Sequence, residues 1–455
     1  MMLMGFCSAL FLSTYAAYIV FRSFLHSLGF SFTSIIGLSY FLGLGIITQS
    51  FMWLWIWGAP VSYQNILIIL ICLSVIGFLC RHRFTPLDVA KEREPVLRYE
   101  RFFIWGVILY VSYNLILVVL SAASIPVFSW DSITSEAYKA KTVFYTGSLL
   151  QISHAFYPNF PFYTLSAMAW TMFGQGLWDD QYIHLIFAFS FLAFTFIFYD
   201  IARQFTSKVA GLFSLFLLYS SNLLIIHATL SYRDVLMMAH TSLCVFGILL
   251  WGGKGKDGLI SFSAVFAGLS LLTKLEGLPY YPVYLIMLIM SGVFYSKTAK
   301  DIFKSLGQFI FISGIVYLPF QIYKVVVSAG DNGWVNNPVL GNEGVILRFC
   351  FVIQRFFNEL FLSGNWNIFF WPLAVISVMI LLIVHRKDPL GKLFFMSIIL
   401  FFGVYLTTYV FTGVYRGVKT PYTISRYFLH FFPLVILMIS RVGYLIYGSQ
   451  KRNTI

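Results

Sequence analysis

Residues 130–141 read Trp-Asp-Ser-Ile-Thr-Ser-Glu-Ala-Tyr-Lys-Ala-Lys, and they interrupt a chain that is built mainly of long apolar runs. Two acids and two lysines fall within these twelve positions, although only 10% of the protein is charged. The stretch follows an apolar run and precedes a region rich in turn-forming residues. We therefore expect it to lie at a membrane surface, over a pocket formed by the rest of the chain.

The composition sets the class of protein. The chain has 455 residues, of which 59% are hydrophobic and 20% aromatic. Soluble domains are usually about one quarter charged, so this chain lacks the polar surface of a water-soluble globule. Its apolar runs have the length that crosses a bilayer core of ~30 Å. The sequence predicts an all-α, polytopic transmembrane bundle.

About thirteen spans are predicted from the apolar runs, together with three sequence regions. An N-terminal extension of three spans and a basic loop covers 1–101, a transmembrane module that contains the stretch 130–141 covers 102–304, and a C-terminal module covers 305–455. The spans lie near 3–21, 30–57, 64–80, 102–122, 183–200, 209–226, 235–252, 258–273, 277–296, 305–322, 366–384, 391–411 and 427–447.

Loop charges predict the orientation. The segment 81–101 carries six lysines and arginines and is the longest polar connection, so we place it in the cytoplasm. Residues 161–177 are apolar but short and glycine-interrupted; we expect a helix lying in the outer interface, opened by Pro161. The stretch 130–141 then faces the extracytoplasmic side. The net charge of +13 reflects topology signals, and nucleic acid is not expected as a partner.

Charged residues gather at the outer ends of the predicted spans. Within 130–145, an apolar face of Trp130, Ile133, Ala137, Ala140 and Phe144 suits a helix lying on the surface. The other charged ends are Ser231–Asp234, Thr273–Gly277 and Ser425–His430. A pocket that binds an anionic lipid head and performs acid/base chemistry needs cations and a carboxylate on one side of the membrane.

Structural roles remain open for each of these residues. Asp131 could be a helix N-cap, and Lys139 and Lys141 could meet lipid headgroups. Arg233 could simply pair with Asp234. In the same way, Lys274 and Glu276 could orient a turn, and His430 could make a helix–helix hydrogen bond.

These motifs resemble the GT-C superfamily of membrane glycosyltransferases, which includes dolichyl-phosphate-mannose mannosyltransferases and lipid A aminoarabinose transferase-like families. Asp131 with Lys139-Ala140-Lys141 resembles the first external loop of bacterial members. Tyr157-Pro158-Asn159-Phe160-Pro161 is similar to a His-Pro-Asp-Tyr-Pro motif, and Ser231–Asp234 to Gly-Tyr-Ala-Asp-Leu-Pro. Thr273–Gly277 resembles Thr-Lys-Asn-Glu-Gly, and residues 426–433 resemble a late Arg-Leu-Leu-Leu-His-Leu-Pro-like segment.

The chain departs from these motifs at several positions. Asn159 stands where the motif has an acid, Tyr157 where it has a histidine, and Arg233 where it has a small residue. Leu236 lies near the usual proline. These changes affect the identity of the substrate more than the class of reaction.

The resemblance implies an inverting transfer of a hexosyl or pentosyl group from a polyprenyl-phosphate-linked sugar. Asp131 would be the general base, with Asp234 as a second catalytic carboxylate that could instead hold a lysine or bind sugar hydroxyls. The donor phosphate would be bound by Lys139, Lys141, Lys274 and Arg426. Substrate-binding residues would be Glu136, Arg233, Glu276, Tyr157 and His430. Lys139 is favoured over Lys141 because it shares a helix face with Asp131.

The resemblance also implies the cellular setting. The protein would be an integral bacterial inner-membrane protein with an extracytoplasmic active site and a lipid-linked or glycan acceptor. No cofactor is required; a divalent metal would be compatible, but no ligand cluster calls for one. Two alternatives stay open: a flippase or transporter of a lipid-linked sugar, and a surface-polysaccharide polymerase or ligase.

Overall fold

The structure is a computed structural model that describes residues 2–80, 98–130, 132–154, 158–327, 344–363, 365–366, 369–412 and 421–453. Within these ranges the chain is helical, as predicted. The α-helices are α1 Met2–Leu28, α2 Phe32–Ile56, α3 Tyr63–Cys80, α4 Arg98–Ser124, α5 Tyr138–Thr146, α6 Tyr163–Gln175, α7 Leu185–Phe205, α8 Lys208–Tyr219, α9 Asn222–Ala228, α10 Asp234–Lys254, α11 Gly258–Thr273, α12 Gly277–Phe294, α13 Ala299–Val326, α14 Val345–Phe361, α15 Phe370–Ile383, α16 Pro389–Phe411, α17 Pro421–Leu429 and α18 Phe432–Asn453.

Nine helices of the described chain are long and apolar enough to cross a membrane. Two bent pairs raise this number to as many as eleven: α8 with α9, bent by 75°, and α17 with α18, bent by 57°. Two further apolar helices, α11 and α15, are shorter than the others. Each predicted span coincides with one of these helices or pairs, so the multi-pass helical fold is confirmed. The count of thirteen spans stays a prediction.

The bends follow from local capping. Ser221 accepts a hydrogen bond from the backbone N–H of Leu224, which starts α9 as a new helix directly after α8 ends. The break between α17 and α18 falls at His430 and Phe431, and both side chains are fully buried. At a break, polar backbone groups lose the hydrogen bonds of a continuous helix, and neighbouring groups of the protein must satisfy them. The second break therefore places a polar side chain inside the protein.

The N-terminal helices are packed into the rest of the bundle. Tyr40 of α2 donates a hydrogen bond to the Ile186 carbonyl of α7 at 2.7 Å. Gln49 donates to the Val316 carbonyl of α13 at 2.7 Å. Because α2 contains no charged residue and is largely buried, it serves as a core helix. The division into three sequence regions stays a prediction. Within it, α2 belongs to the N-terminal region but packs in the core of the bundle.

The helix predicted for the outer interface is surrounded by protein. α6 begins at Tyr163 rather than at Pro161, and every residue from Tyr163 to Met172 is buried. Trp170 donates to the Ala9 carbonyl of α1 at 2.8 Å, and a Cβ on Gly174 would meet the Gly5 carbonyl at 2.7 Å. Small residues at this crossing let the two helices approach closely. α6 therefore packs against protein along α1 and α2.

The stretch 132–146 agrees in part with the expected surface helix. It is helical, a π-helical turn over Ser132–Ala137 followed by α5. The side chains of Ser135 and Lys139 are buried, whereas Trp130 and Ile133 of the expected lipid-facing surface are exposed to 76% and 45%. Ala137 and Ala140 face the protein. The polar side of this stretch therefore packs on the bundle.

The helix connections bring charged ends together. α10 and α11 are joined by only three residues and pack against each other, so the start of α10 and the end of α11 lie at the same end of the bundle. α12 begins three residues after α11. We call this the site end of the bundle. The break between α17 and α18 lies against the same group of helices.

Candidate active site

Asp234 is the centre of the charged residues at the site end. Its side chain is fully buried at the first turn of α10, where the helix dipole favours a negative charge. Lys274 Nζ donates to Oδ1 at 2.9 Å, and Arg426 donates to Oδ2 through Nε and Nη2, each at 3.1 Å. Two cations from different helix ends thus share one carboxylate, which keeps it ionised.

Two histidines complete the surroundings of Asp234. His430 Nε2 donates to Oδ1 at 3.1 Å, and His227 Nδ1 lies 3.3 Å from Oδ2. The other ring nitrogen of His430 lies 2.7 Å from the Tyr280 hydroxyl and 3.0 Å from that of Tyr405. His430 therefore has protein partners on both nitrogens and braces Asp234. Its predicted role as a substrate ligand stays a prediction.

The tight turn after α11 carries the next acid of the site. Lys274 Nζ also lies 3.2 Å from Glu276 Oε1, so this ammonium bridges two carboxylates. Burial is the largest single effect and raises the pKa of Glu276, but the charges of Lys274, His430 and Arg233 and a backbone hydrogen bond together place the net pKa below its ordinary value. A Cβ on Gly277 would lie 2.7 Å from the Ser270 carbonyl oxygen. The absence of a side chain at Gly277 thus permits the close turn.

Arg426 is the more accessible of the two cations on Asp234. Its side chain is 25% exposed, against 9% for Lys274. The guanidinium lies 4.3 Å from the ring centroid of Tyr232, and the Lys274 ammonium lies 4.9 Å from that of Tyr427. Aromatic faces attract such cations and restrict their orientation. We refer to Asp234, Lys274, Glu276, Arg426 and His430 as the Asp234 cluster.

A second charged group lies beside this cluster, on the 132–146 stretch and the residue before Asp234. Arg233 Nη1 is 3.3 Å from Glu136 Oε1. The Arg233 guanidinium and the Lys139 ammonium lie 4.5 Å and 5.2 Å from the centroid of one ring, that of Phe160. The structure therefore gathers Glu136, Lys139 and Arg233, which the sequence had assigned to one pocket.

The two lysines of the stretch differ. Lys141 is exposed, whereas Lys139 is buried, with 1% of its surface accessible. Burial lowers the pKa of Lys139 to about 8; the nearby Glu136 carboxylate raises it and the Arg233 charge lowers it further. The preference for Lys139 over Lys141 as a phosphate ligand stays a prediction. Asp131 and Tyr157 lie outside the described residues.

Sequence reasoning missed three residues around Asp234. His227 is the second-last residue of α9 and lies seven residues before Asp234, and its position near the end of a predicted span was an available signal. Tyr280 follows Glu276 by one helical turn, so its proximity could also have been expected. Tyr405 lies mid-run in an apolar span, and nothing in the sequence distinguishes it from a core aromatic residue.

A metal site in a protein needs several ligating side chains that lie close together. No group of three or more His, Cys, Asp or Glu residues that could hold a metal ion occurs in the described ranges. Metal dependence therefore stays a prediction. A cavity of about 440 Å³ opens elsewhere, between α1, α2, α3, α11 and α13, and it is lined mainly by apolar side chains such as Leu42, Ile46 and Trp53. No charged residue lines this cavity.

Fold and site together define a multi-pass helical membrane protein with an ionic cluster at one end of its bundle. No protein-family profile matches the chain, and no curated protein matches its sequence. Among solved structures it is similar to ArnT from Cupriavidus metallidurans in the apo state, a lipid A aminoarabinose transferase of the GT-C class. The identity is 14% and the TM-score 0.54. The match covers 74% of this chain and 59% of ArnT, so the chain spans little more than half of that protein.

Proposed function

We propose that the protein is an inverting glycosyltransferase that moves a hexosyl or pentosyl group from a polyprenyl-phosphate donor to a lipid-linked or glycan acceptor. The observation that carries this proposal is the meeting of Lys274 and Arg426 on Asp234, at helix ends gathered at one end of a GT-C-like bundle. Such a cluster offers fixed cations beside a membrane, which a lipid phosphate requires. We place this end on the extracytoplasmic side of a bacterial inner membrane.

In the proposed reaction, the acceptor hydroxyl attacks the anomeric carbon of the sugar. The hydroxyl proton passes to the Asp131 carboxylate as the new glycosidic bond forms. The bond between the anomeric carbon and the phosphate oxygen breaks, and its electron pair leaves with the polyprenyl phosphate. Negative charge grows on that phosphate, and cations already fixed in place stabilise it. The leaving group needs no proton, so one base suffices.

The contacts divide the cations by accessibility. Arg426 keeps a quarter of its side chain exposed and is the favoured phosphate ligand of the Asp234 cluster. On the 132–146 stretch the contacts decide instead: Lys139 lies beside Arg233 on the Phe160 ring and is the favoured ligand, whereas the exposed Lys141 is the more peripheral one. Lys274 is held by two carboxylates. We assign it a supporting role, in which its positive charge stabilises the phosphate from a distance.

Asp234 receives a different role from that of a second base. Both of its oxygens already accept hydrogen bonds from cations or imidazole groups, and the side chain is fully buried. A proton acceptor needs a free lone pair facing the substrate. We therefore assign Asp234 to the holding of Lys274 and Arg426, one of the roles considered from the sequence. Glu276, with 23% of its side chain exposed, is the better candidate for sugar hydroxyls.

The transport alternative would require charges along a path through the bundle. Instead, charged residues of the described spans lie chiefly at helix ends, and α2 and α11 contain none. A polymerase or ligase would use the same lipid-phosphate chemistry with a growing glycan as the acceptor. The three functions differ in product, which makes them separable by experiment.

The test is transfer by the purified full-length protein in lipid vesicles, with a panel of radiolabelled polyprenyl-phosphate sugars and extracted envelope lipids and glycans as acceptors. A new labelled product formed by the wild type and abolished in Asp131→Asn supports the proposal. Movement of donor across the vesicle membrane without product would favour a flippase, and a ladder of product lengths would favour a polymerase. Full activity of a folded Asp131→Asn variant would remove Asp131 as the base.

A further inference from the structure

The contact between Glu136 and Arg233 joins two parts of the site that are far apart in sequence. Glu136 lies on the π-helical turn before α5, and Arg233 directly precedes α10. Their side chains are 3% and 10% exposed, so the pair is shielded from solvent. Removal of one partner from a buried pair leaves the other without compensation. The link therefore constrains the 132–146 stretch against the start of α10.

A second link runs parallel to the first. Ser132 Oγ donates to the Ser231 carbonyl at 2.9 Å, and it accepts from Ser129 Oγ. Ser132 and Glu136 lie one helical turn apart, and Ser231 and Arg233 lie two residues apart. Two successive turns of the 132–146 stretch thus attach to the short connection between α9 and α10. This arrangement fixes both its position and its rotation.

The fixed rotation determines which way Lys139 faces. Lys139 follows Glu136 by three residues, so both side chains project from the same side of the helix. The Phe160 ring lies against Lys139 and against Arg233, which makes it a shared surface for the two cations. Arg233 thus contacts both the carboxylate and the ring that border Lys139.

We propose that Glu136 and Arg233 form a clamp that holds the 132–146 stretch on the Asp234 cluster, and that both are positioning residues for the transfer rather than ligands of the sugar. The positioning role in transfer rests on the proposed function, whereas the contact between Glu136 and Arg233 does not depend on it. The similar motif in the GT-C superfamily carries a small residue at the position of Arg233. The clamp is therefore a property of this chain's own sequence.

The test compares Arg233→Glu, Glu136→Arg and the charge-swapped double variant in the full-length protein in nanodiscs. The first readout is amide hydrogen exchange of residues 132–146, which does not depend on catalysis. We expect at least about tenfold faster exchange in each single variant and recovery to within about threefold of the wild type in the swap, in line with the coupling of contacting charges. Unchanged exchange in both single variants overturns the clamp.

The second readout is binding of undecaprenyl phosphate, used as the probe for the carrier. A positioning role predicts weaker binding in the single variants and recovery in the swap. A direct phosphate ligand at position 233 predicts that the swap binds as weakly as Arg233→Glu, because the cation has moved; that result overturns the positioning role. Arg233→Met, which keeps the length but not the charge, serves as a second variant if Arg233→Glu does not fold.

A matched control lies elsewhere in the chain. Arg203 Nη2 pairs with Asp200 Oδ1 at 2.8 Å, outside the site. Arg203→Glu should leave both the exchange of residues 132–146 and carrier binding unchanged. If the wild type neither binds the carrier nor transfers sugar while the exchange pattern follows the charge pairing, the proposed function fails and the clamp stands.

Discussion

Lys274 and Arg426 approach Asp234 at different oxygens: Lys274 Nζ lies 2.9 Å from Oδ1, and Arg426 Nη2 lies 3.1 Å from Oδ2. The three residues come from the starts or ends of three helical elements that are separated by 40 and 192 positions. One buried carboxylate therefore connects the ends of α10, α11 and α17.

Replacement of the central carboxylate is expected to harm both stability and binding. Asp234→Asn leaves Lys274 and Arg426 without their shared anion, and loss of one partner of a buried ion pair costs about 3–5 kcal/mol. We expect a lower melting temperature in nanodiscs and loss of undecaprenyl phosphate binding.

Asp388→Asn is the control for that change. Arg441 donates to Asp388 at 2.9 Å in a less buried pair, away from the Asp234 cluster. This variant should lower the melting temperature by a smaller amount and leave carrier binding intact. An Asp234→Asn protein as stable as the wild type would contradict the central role of the carboxylate.

The charge of Lys139 predicts a pH dependence of carrier binding. Its pKa of about 8 means that the ammonium loses its proton as the pH rises through that value. Binding of undecaprenyl phosphate should therefore weaken between about pH 7 and 9. Lys139→Arg should abolish this dependence, because a guanidinium stays charged throughout the range.

Lys141 supplies the comparison within the same helix. It lies two residues away and is exposed, so Lys141→Arg should leave the pH profile unchanged. Titration of binding at several pH values, by native mass spectrometry or fluorescence quenching, measures the effect. A profile that is flat across this range in the wild type argues against Lys139 as a phosphate ligand.

The lowered pKa of Glu276 predicts that this residue stabilises the fold at neutral pH and loses that effect in acid. Its pKa is lower in the folded protein than in the unfolded chain, so its ionised form stabilises the fold above the ordinary carboxyl pKa. This contribution is lost as the pH falls through the folded value. The melting temperature of Glu276→Gln should lie below that of the wild type at neutral pH, and the difference should shrink in acid.

The turn after α11 predicts a steric effect. An added Cβ in Gly277→Ala would lie 2.7 Å from the Ser270 carbonyl oxygen and 2.9 Å from Leu271 Cα, both backbone atoms. The turn must then shift, at a cost of about 1–3 kcal/mol, and Lys274 moves with it. Thermal unfolding should show this loss, together with weaker carrier binding.

Gly314→Ala is the matched substitution. Nothing lies within 4 Å of a Cβ at that position inside α13, so alanine should be neutral or slightly stabilising there. Equal melting temperatures for the two variants would exclude the steric explanation.

Much of the architecture could be predicted from the sequence because apolar run length reports bilayer thickness directly. The gathering of Asp234, Lys274 and Arg426 was also predictable, since alternating spans return every second end to the same side. The burial of α6 was not, because small residues such as Gly174 suit a helix crossing as well as a membrane surface. Tyr405 could not be singled out either, because its hydrogen bond to His430 depends on the break between α17 and α18.

The placement of Gln49 in α2 has a consequence for how the protein is made. Its side-chain amide is satisfied by the Val316 carbonyl of α13, which lies 267 residues further along the chain. Thr48, its neighbour, meets Ser166 of α6 only 118 residues later. Until α13 has been made, the side-chain amide of Gln49 lacks this partner. An amide without a hydrogen-bond partner is costly in lipid. The hydrogen bond between Gln49 and Val316 therefore forms only after α13 has been made, and the contact of Arg426 with Asp234 only after α17.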